Sequence, residues 1–458
     1  MLCALNLSFT ATAAAVEQVF VTLPISGAAS DMACLFRGQK GPLSLEDAIE
    51  RILCNEPTTR LAWANAKIQA AQVGMKKSAY LPRLDGSVKS AYGSSKSVYV
   101  EHENLTTEGD FRRLSSSLNL SWVVYDFGRR KAALDNAQQL LLAANSTHDV
   151  ILQSSFVMAA QIYYNALVAK RNFTSSAQVA KMASENLKAA DAKYKAGAAA
   201  LSDQLQAKTA FSQAHLKKIR YAGELRNAIG IMALKMGLPA DTELTLSGDL
   251  RPVANTSFIR ATDALINQAM LENPALLAVR ARLQAAKFAV VESRAEGKAN
   301  ISLIGGFSNL HAAQSSSLSG GVRNYEKSIG VQLSIPIFEG FERRYKIRNA
   351  LAQVEVSEAE LFQAEQQVAM DVWSSYQSIN LETLSLQRTT ELVEQSREAL
   401  EVVQGRYRSG VGSMIELLNA LSAYASAEEQ HIQVLNNWQI ARLKLAAGLG
   451  RLGFWTLK

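Results

Sequence analysis

Two long intervals of this chain contain neither proline nor glycine. No proline lies between Pro82 and Pro239 or after Pro336, and no glycine lies within 129–196 or 341–404. Proline removes a helix hydrogen bond, and glycine costs about 1 kcal/mol in a helix interior. Each interval of more than 60 residues is therefore expected as one helix, on the order of 90–100 Å long. A helix of that length needs neighbours along its whole side, as in a coiled coil or a helical array. The residues Val372, Ile379, Leu386, Val393, Leu400 and Tyr407 recur at steps of seven, the seam of helices wound on one another. In the first interval the same register carries Ala159, Ala166, Phe173, Ala180, Leu187 and Tyr194, mostly smaller side chains that permit closer approach. Each interval ends in a basic turn and a glycine, KYKAG (193–197) and RYRSG (406–410), which signals a helix C-cap.

These parallels belong to a larger one, because the chain is written twice. LSWVVYDFGRR (120–130) returns as LSIPIFEGFERR (333–344), and KYKAGAAALSDQLQA (193–207) returns as RYRSGVGSMIELLNA (406–420), both offset by 213 residues. CNEPTTRLAWANAKIQAAQ (54–72) answers ENPALLAVRARLQAAK (272–287), with Pro57 matching Pro274. The copies are taken as 43–239 and 262–450, with an inter-repeat linker at 240–261 and a tail at 451–458. Each copy reads as a short helix before a proline, a second helix, a strand pair and a long helical hairpin. The strand pairs fall at 84–125 and 301–338, and the hairpins at 128–237 and 340–449. Leu118, Leu120, Trp122 and Val124 alternate with Ser117, Asn119 and Ser121. Ile329, Val331 and Leu333 alternate with Gly330, Gln332 and Ser334. That period of two marks strands with one apolar and one polar face. The expected strands are 84–100, 114–125, 301–312 and 328–338, joined by serine-rich loops at 93–110 and 312–324.

Strands with one apolar face must bury it or put it in lipid. A soluble sandwich would bury it, yet each strand pair runs straight into a very long helix, which leaves no layer to cover the sheet. Apolar-out and polar-in alternation suits a membrane barrel, whose bacterial forms have eight or more strands. Four strands per chain do not close a barrel alone, and sharing it between chains would.

Several motifs are set aside. Asp126-Phe127-Gly128 spells the kinase metal-binding tripeptide, but no glycine-rich loop, Val-Ala-Ile-Lys strand or His-Arg-Asp loop precedes it. GLGRLG (448–453) follows a helix and leaves five residues before the terminus, whereas a dinucleotide site needs its glycines between strand and helix. The five histidines form no metal-spaced pair, and no Cys/His cluster suggests zinc. No catalytic set, metal or cofactor is expected, and the chain reads as a non-enzyme. The net charge of +7 comes from lysines and arginines spread along the chain, without a basic, aromatic-rich cluster, so no nucleic-acid partner is expected. A mean hydropathy of −0.02 and the lack of an 18-residue apolar run exclude a polytopic helical membrane protein.

Residues 1–16 are either a truncated export signal, with Ala11, Ala13 and Ala15 at a small-residue cleavage region, or an ordinary chain end. Cys34 and Cys54 flank the start of the first helix. In an oxidising compartment they would form a disulfide, and otherwise they are two partly buried thiols.

The doubled unit, the strands ending in YDFGRR and IFEGFERR, and the tips KYKAG and RYRSG followed by Asp203 and Glu416 resemble the TolC family of outer-membrane ducts. The resemblance covers about 43–450. It implies a mostly α, mixed α and β chain that forms a homotrimer, with a twelve-stranded outer-membrane β-barrel continuing into a periplasmic coiled-coil tunnel. It implies contact with outer-membrane lipid, a periplasmic adaptor, and an inner-membrane ABC transporter or other pump. The function it implies is an exit duct for type I protein (toxin) secretion or efflux, and the Cys34–Cys54 bracket resembles the type I branch. By this resemblance the hairpin tips close the periplasmic end. Asp203 and Glu416, each nine residues past a tip tyrosine, would form the cation-attracting gate. The family's next acid falls on Asn419 and its closing arginine on Gly412, which leaves the closing network altered. Tyr194 and Tyr407 would latch the tips. Asp126 with Gly128, and Glu339 with Gly340, form the strand-to-helix junctions, where glycine allows the sharp turn and an acid favours a helix N-terminus. Lys193 and Arg406 are expected to complement the dipoles of their own helices. The rival from another class is a structural coiled-coil scaffold of the cell envelope. A periplasmic adaptor would need a lipoyl-like β domain, which the sequence does not show.

Overall fold

The computed structural model describes residues 41–98, 100, 106–248, 262–314, 322–450 and 452–453. The expected export segment, Cys34, and most of the linker and tail lie outside the described residues. The first copy gives α1 (Leu45–Asn55), α2 (Pro57–Ser78), β1 (Arg83–Ser97), β2 (Thr107–Tyr125), α3 (Arg129–Lys195) and α4 (Leu201–Lys235). The second gives α5 (Thr262–Glu272), α6 (Pro274–Glu296), β3 (Asn300–Gln314), β4 (Val322–Ser334), α7 (Glu342–Arg408) and α8 (Met414–Gly448). The two breaker-free intervals are α3 and α7, each 67 residues without interruption. Gly405 is tolerated inside the last turn of α7. Both long helices close on glycine caps. Gly197 and Gly410 have φ of 73° and 84°, and Ala198 and Val411 donate back to the carbonyls of Lys193 and Arg406. Those bonds satisfy carbonyls that the helix itself leaves open.

Two compact units cut across the sequence copies. One holds Ala66–Ala144 and Val279–Leu361, and the other the described parts of Val21–Asn65, Asn145–Ala278 and Phe362–Lys458.

The first unit contains one antiparallel sheet in the order β1-β2-β3-β4. The central pairing joins the copies, with Ser117 opposite both Ser87 of β1 and Ser308 of β3. One face carries Leu84, Val88, Leu118, Leu120, Leu303, Phe307, Ile329, Val331 and Leu333, and the other is mostly serine, asparagine, glycine and charge. Among the described residues nothing covers the apolar face, where Val88 is 74% and Ile329 80% exposed. β1 and β4 each keep one edge without a strand partner among the described residues.

The strands differ from expectation at their turn ends. β2 begins at Thr107 and β4 at Val322, inside stretches expected as loops. The added residues pair through polar groups, with Lys96 to Glu108 at 2.7 Å and the Tyr92 hydroxyl to Asp110 at 3.1 Å. Backbone pairing there needs no apolar alternation. β4 also stops at Ser334, before Pro336, because proline donates no ladder hydrogen bond.

In the second unit, one core joins Ile49 and Ile52 of α1, Phe156 and Tyr163 of α3, Met232 of α4, and Ile432, Leu435 and Leu443 of α8. The Tyr163 hydroxyl is held between the carbonyls of Leu43 (3.0 Å) and Ser247. A second core at the hairpin tips gathers Ala183, Ala190 and Ala207 with Leu400, Tyr407, Met414 and Leu417. The heptad seam of α7 holds, with Val372, Leu400 and Tyr407 all buried. In α3 the seam residues Ala159, Ala166 and Ala180 are buried, Ala183 and Ala190, three residues past seam positions, join the inner face near the tip, and Tyr194 turns outward.

Among the described residues, no helix is long and apolar enough to cross a membrane.

Candidate functional site

The strand-to-helix junctions are built alike from different residue orders. Phe127 and Gly128 have φ of 53° and 90°, and Gly340 and Phe341 have φ of 58° and 66°. Each pair is two successive left-handed residues closed by a turn hydrogen bond, Arg129 N to Asp126 O and Glu342 N to Glu339 O. Glycine takes this conformation freely, whereas a phenylalanine there is strained. Each phenylalanine is held by an edge-on aromatic contact, Phe127 to Tyr125 at 4.8 Å and Phe341 to Phe338 at 5.8 Å between ring centres.

Asp126 binds its own junction. Its carboxylate accepts from Gly128 N (3.3 Å), Arg130 N (2.9 Å) and Arg130 Nε (2.9 Å), and the residue is only 7% exposed. Arg130 continues to the carbonyls of Ala79 (3.2 Å), Val123 (2.6 Å) and Val124 (3.2 Å), and lies 4.7 Å from the Tyr80 ring centre. One guanidinium thus ties the end of α2, the end of β2 and the start of α3. The second copy repeats this more loosely. Arg343 lies 3.8 Å from Glu339 and donates to the Gly297 carbonyl, just beyond α6. A Cβ at Gly297 would fall 1.6 Å from Arg343 Nε, so only glycine admits the guanidinium. The sequence offered the arginine pairs after both acids but not these partners, which lie 46 and 51 residues away.

At the hairpin tips, Asp203 and Glu416 occupy the same position, third in the first turns of α4 and α8. Glu416 N is capped by the Ser413 hydroxyl at 3.2 Å, whereas Ala200 offers α4 no side-chain cap. The side chains differ in setting. Asp203 is half-buried and faces Tyr407, while Glu416 is exposed. Burial, and then the Asp203 carboxylate, hold the Tyr407 phenol above its ordinary value. Asn419 lines a groove of about 650 Å3 between α4 and α8, with Leu205, Gln206, Lys217 and Ile415.

The tip tyrosines are not equivalent. Tyr407 is 4% exposed and its hydroxyl has no hydrogen-bond partner among the described residues, while Tyr194 is 39% exposed. Lys193 departs from expectation. Its ammonium sits 4.1 Å from the Tyr407 ring centre and donates to the Tyr407 carbonyl. That carbonyl lies in the last turn of α7, so Lys193 complements the dipole of the other hairpin's helix. Arg406, its counterpart, is exposed. This contact between the two hairpin tips thus comes from the first copy, while Gly412 leaves no room for a side chain. A Cβ there would lie 2.9 Å from Tyr407 N. Asp191 is gripped by Lys195 (2.7 Å) and Gln204 (2.7 Å), which hold its carboxyl below the usual range.

Cys54 is disulfide-bonded; Cys34, the partner expected from sequence, lies outside the described residues.

A family profile described as "Outer membrane efflux protein" matches residues 48–230 and 265–451, one stretch in each copy. Protein CyaE of Bordetella pertussis is 29% identical over 416 residues, covering 91% of this chain and 85% of that one. The alkaline protease secretion protein AprF of Pseudomonas aeruginosa is 23% identical over 434 residues, covering 91% and 86%. Among solved structures, the outer-membrane channel OprN superposes with a TM-score of 0.75 at 19% identity, covering 94% of this chain and 97% of that one.

Proposed function

The chain belongs to the outer membrane efflux protein family, and from that premise we propose that it is the trimeric exit duct of a type I protein secretion system. TolC-type members are non-enzymatic ducts that span the outer membrane and extend into the periplasm. In this reading three copies pair the free edge of β1 with that of β4 in a neighbour and close a twelve-stranded barrel. The observation that carries it is the sheet itself, with four strands and, among the described residues, two unpartnered edges and an uncovered apolar face. Such a sheet is a hazard in water and a wall in lipid. The long helices line a periplasmic tunnel that works with an adaptor protein and an inner-membrane ABC transporter. The name of AprF, a protease secretion protein, supports protein cargo over small-molecule efflux.

The tips close the tunnel. Asp203 and Glu416 from three copies put six carboxylates near one constriction, and rings of carboxylates favour cations. The Tyr407 hydroxyl is buried without a hydrogen-bond partner among the described residues, which costs about 1–3 kcal/mol. Asp203→Ala/Glu416→Ala tests the gate by reversal potentials in planar bilayers. The ratio of cation to anion permeability is expected to fall several-fold towards unity. A ratio equal to the parent's would remove both acids from the gate.

A further inference from the structure

The apolar face of the sheet ends the same way on every strand. On β4, Leu333, Val331 and Ile329 give way to Lys327, Tyr325 and Arg323. On β2, Leu118 and Leu114 give way to Arg112, then to Asp110 and Glu108. On β1 the series Leu84, Val88 leads to Tyr92 and Lys96, and on β3 Phe307 leads to His311. These residues share the apolar face because they are spaced by even numbers along their strands. From Trp122 to Arg112 is ten residues, about 33 Å of strand, which a tilt of ~40° reduces to about 25 Å. That is the height of the band a barrel presents to lipid. The charged belt therefore begins where the hydrocarbon ends, on the side where the strands turn back, away from the helices.

The belt is unevenly neutralised. Lys96 is paired with Glu108 at 2.7 Å, and Asp110 accepts from Tyr92 at 3.1 Å. Among the described residues, no carboxylate lies within ion-pair distance of Arg112, Arg323 or Lys327, and all three are exposed. Arg112 rests 5.9 Å from the Tyr92 ring centre, which orients it without neutralising it. Three such cations per chain, directly above an apolar wall, complement anionic headgroups whose tails cover that wall.

We infer that Arg112, Arg323 and Lys327 form a binding belt for the phosphate groups of the lipid in the outer leaflet of the outer membrane. This rests on reading the sheet as a membrane wall. Arginine suits the role because its planar fork matches phosphate oxygens. The belt would fix the depth and seal the rim of the barrel by bonding the lipid it displaces.

The test uses the purified full-length protein and two probes, diphosphorylated lipid A and its dephosphorylated form, with binding read by native mass spectrometry. The parent is expected to bind the phosphorylated probe at least tenfold more tightly than the other. In Arg112→Gln/Arg323→Gln/Lys327→Gln that preference is expected to vanish, while insertion into neutral phosphatidylcholine vesicles stays at the parent level. Equal binding of the two probes by the parent, or an undiminished preference in the triple variant, would overturn the belt. Failure of the parent itself to insert into neutral vesicles would instead overturn the membrane wall on which the belt rests.

Discussion

Arg130→Ala is expected to lower the unfolding free energy by about 3–5 kcal/mol, because it strands the Asp126 carboxylate in a site closed to water. Both side chains of this pair are nearly covered, at 11% and 9% exposure, and the guanidinium also serves three carbonyls from two other elements. Arg343→Ala, the same change in the second copy, is expected to cost only about 1–2 kcal/mol. There the acid stands 3.8 Å away and both partners are about two-fifths exposed, so water replaces much of what is lost. Guanidinium unfolding at fixed protein concentration, followed by tryptophan fluorescence, measures the difference. Trp122 donates to the Tyr80 carbonyl at 2.9 Å and sits beside the Arg130 site, so it reports on this junction. Equal losses in the two variants would mean that the first junction is not held by a buried ion pair.

The second large effect is expected at the tip. Lys193→Ala removes a cation over an aromatic ring, about 0.5–2 kcal/mol, and a charged hydrogen bond to a helix-end carbonyl, about 1.5–3 kcal/mol. Lys193 is half-exposed, so a net loss of about 2 kcal/mol is taken, near the low end of the sum. If closure depends on this contact, the ratio of closed to open tips falls about 30-fold. Single-channel records should then show open events about that much more often. Arg406→Ala, at the matching position of the second copy, leaves an exposed side chain's place empty and should change nothing. Should the two variants behave alike, Lys193 is not a clasp between hairpins.

How far the sequence went can be judged from these same residues. The long helices were legible because missing breakers and terminal glycines are local properties, and Gly197 and Gly410 take the left-handed caps expected of them. The apolar faces of the strands were legible because alternation is local too. The strand ends at Thr107 and Val322 were not, since polar cross-strand pairs such as Lys96–Glu108 carry no hydrophobic period. The junction glycines, expected as turn formers, have φ of 90° at Gly128 and 58° at Gly340. Left unread was the exchange of order, Phe-Gly in one copy and Gly-Phe in the other, over one backbone shape. Lys193 was read as a charge for its own helix because its partner lies 214 residues away in sequence. The equal treatment of Tyr194 and Tyr407 followed from the repeat, and only packing separates them. The duplication thus exposed the architecture and hid the asymmetry, because two copies of one unit must meet different neighbours.

The most direct test of the central claim is the conductance of the purified parent protein in planar bilayers. A duct closed at its tips should insert and give small, reproducible, cation-selective unitary steps. Correctly exported, folded oligomers that remain wholly in the soluble fraction and never conduct would contradict it and favour an envelope scaffold.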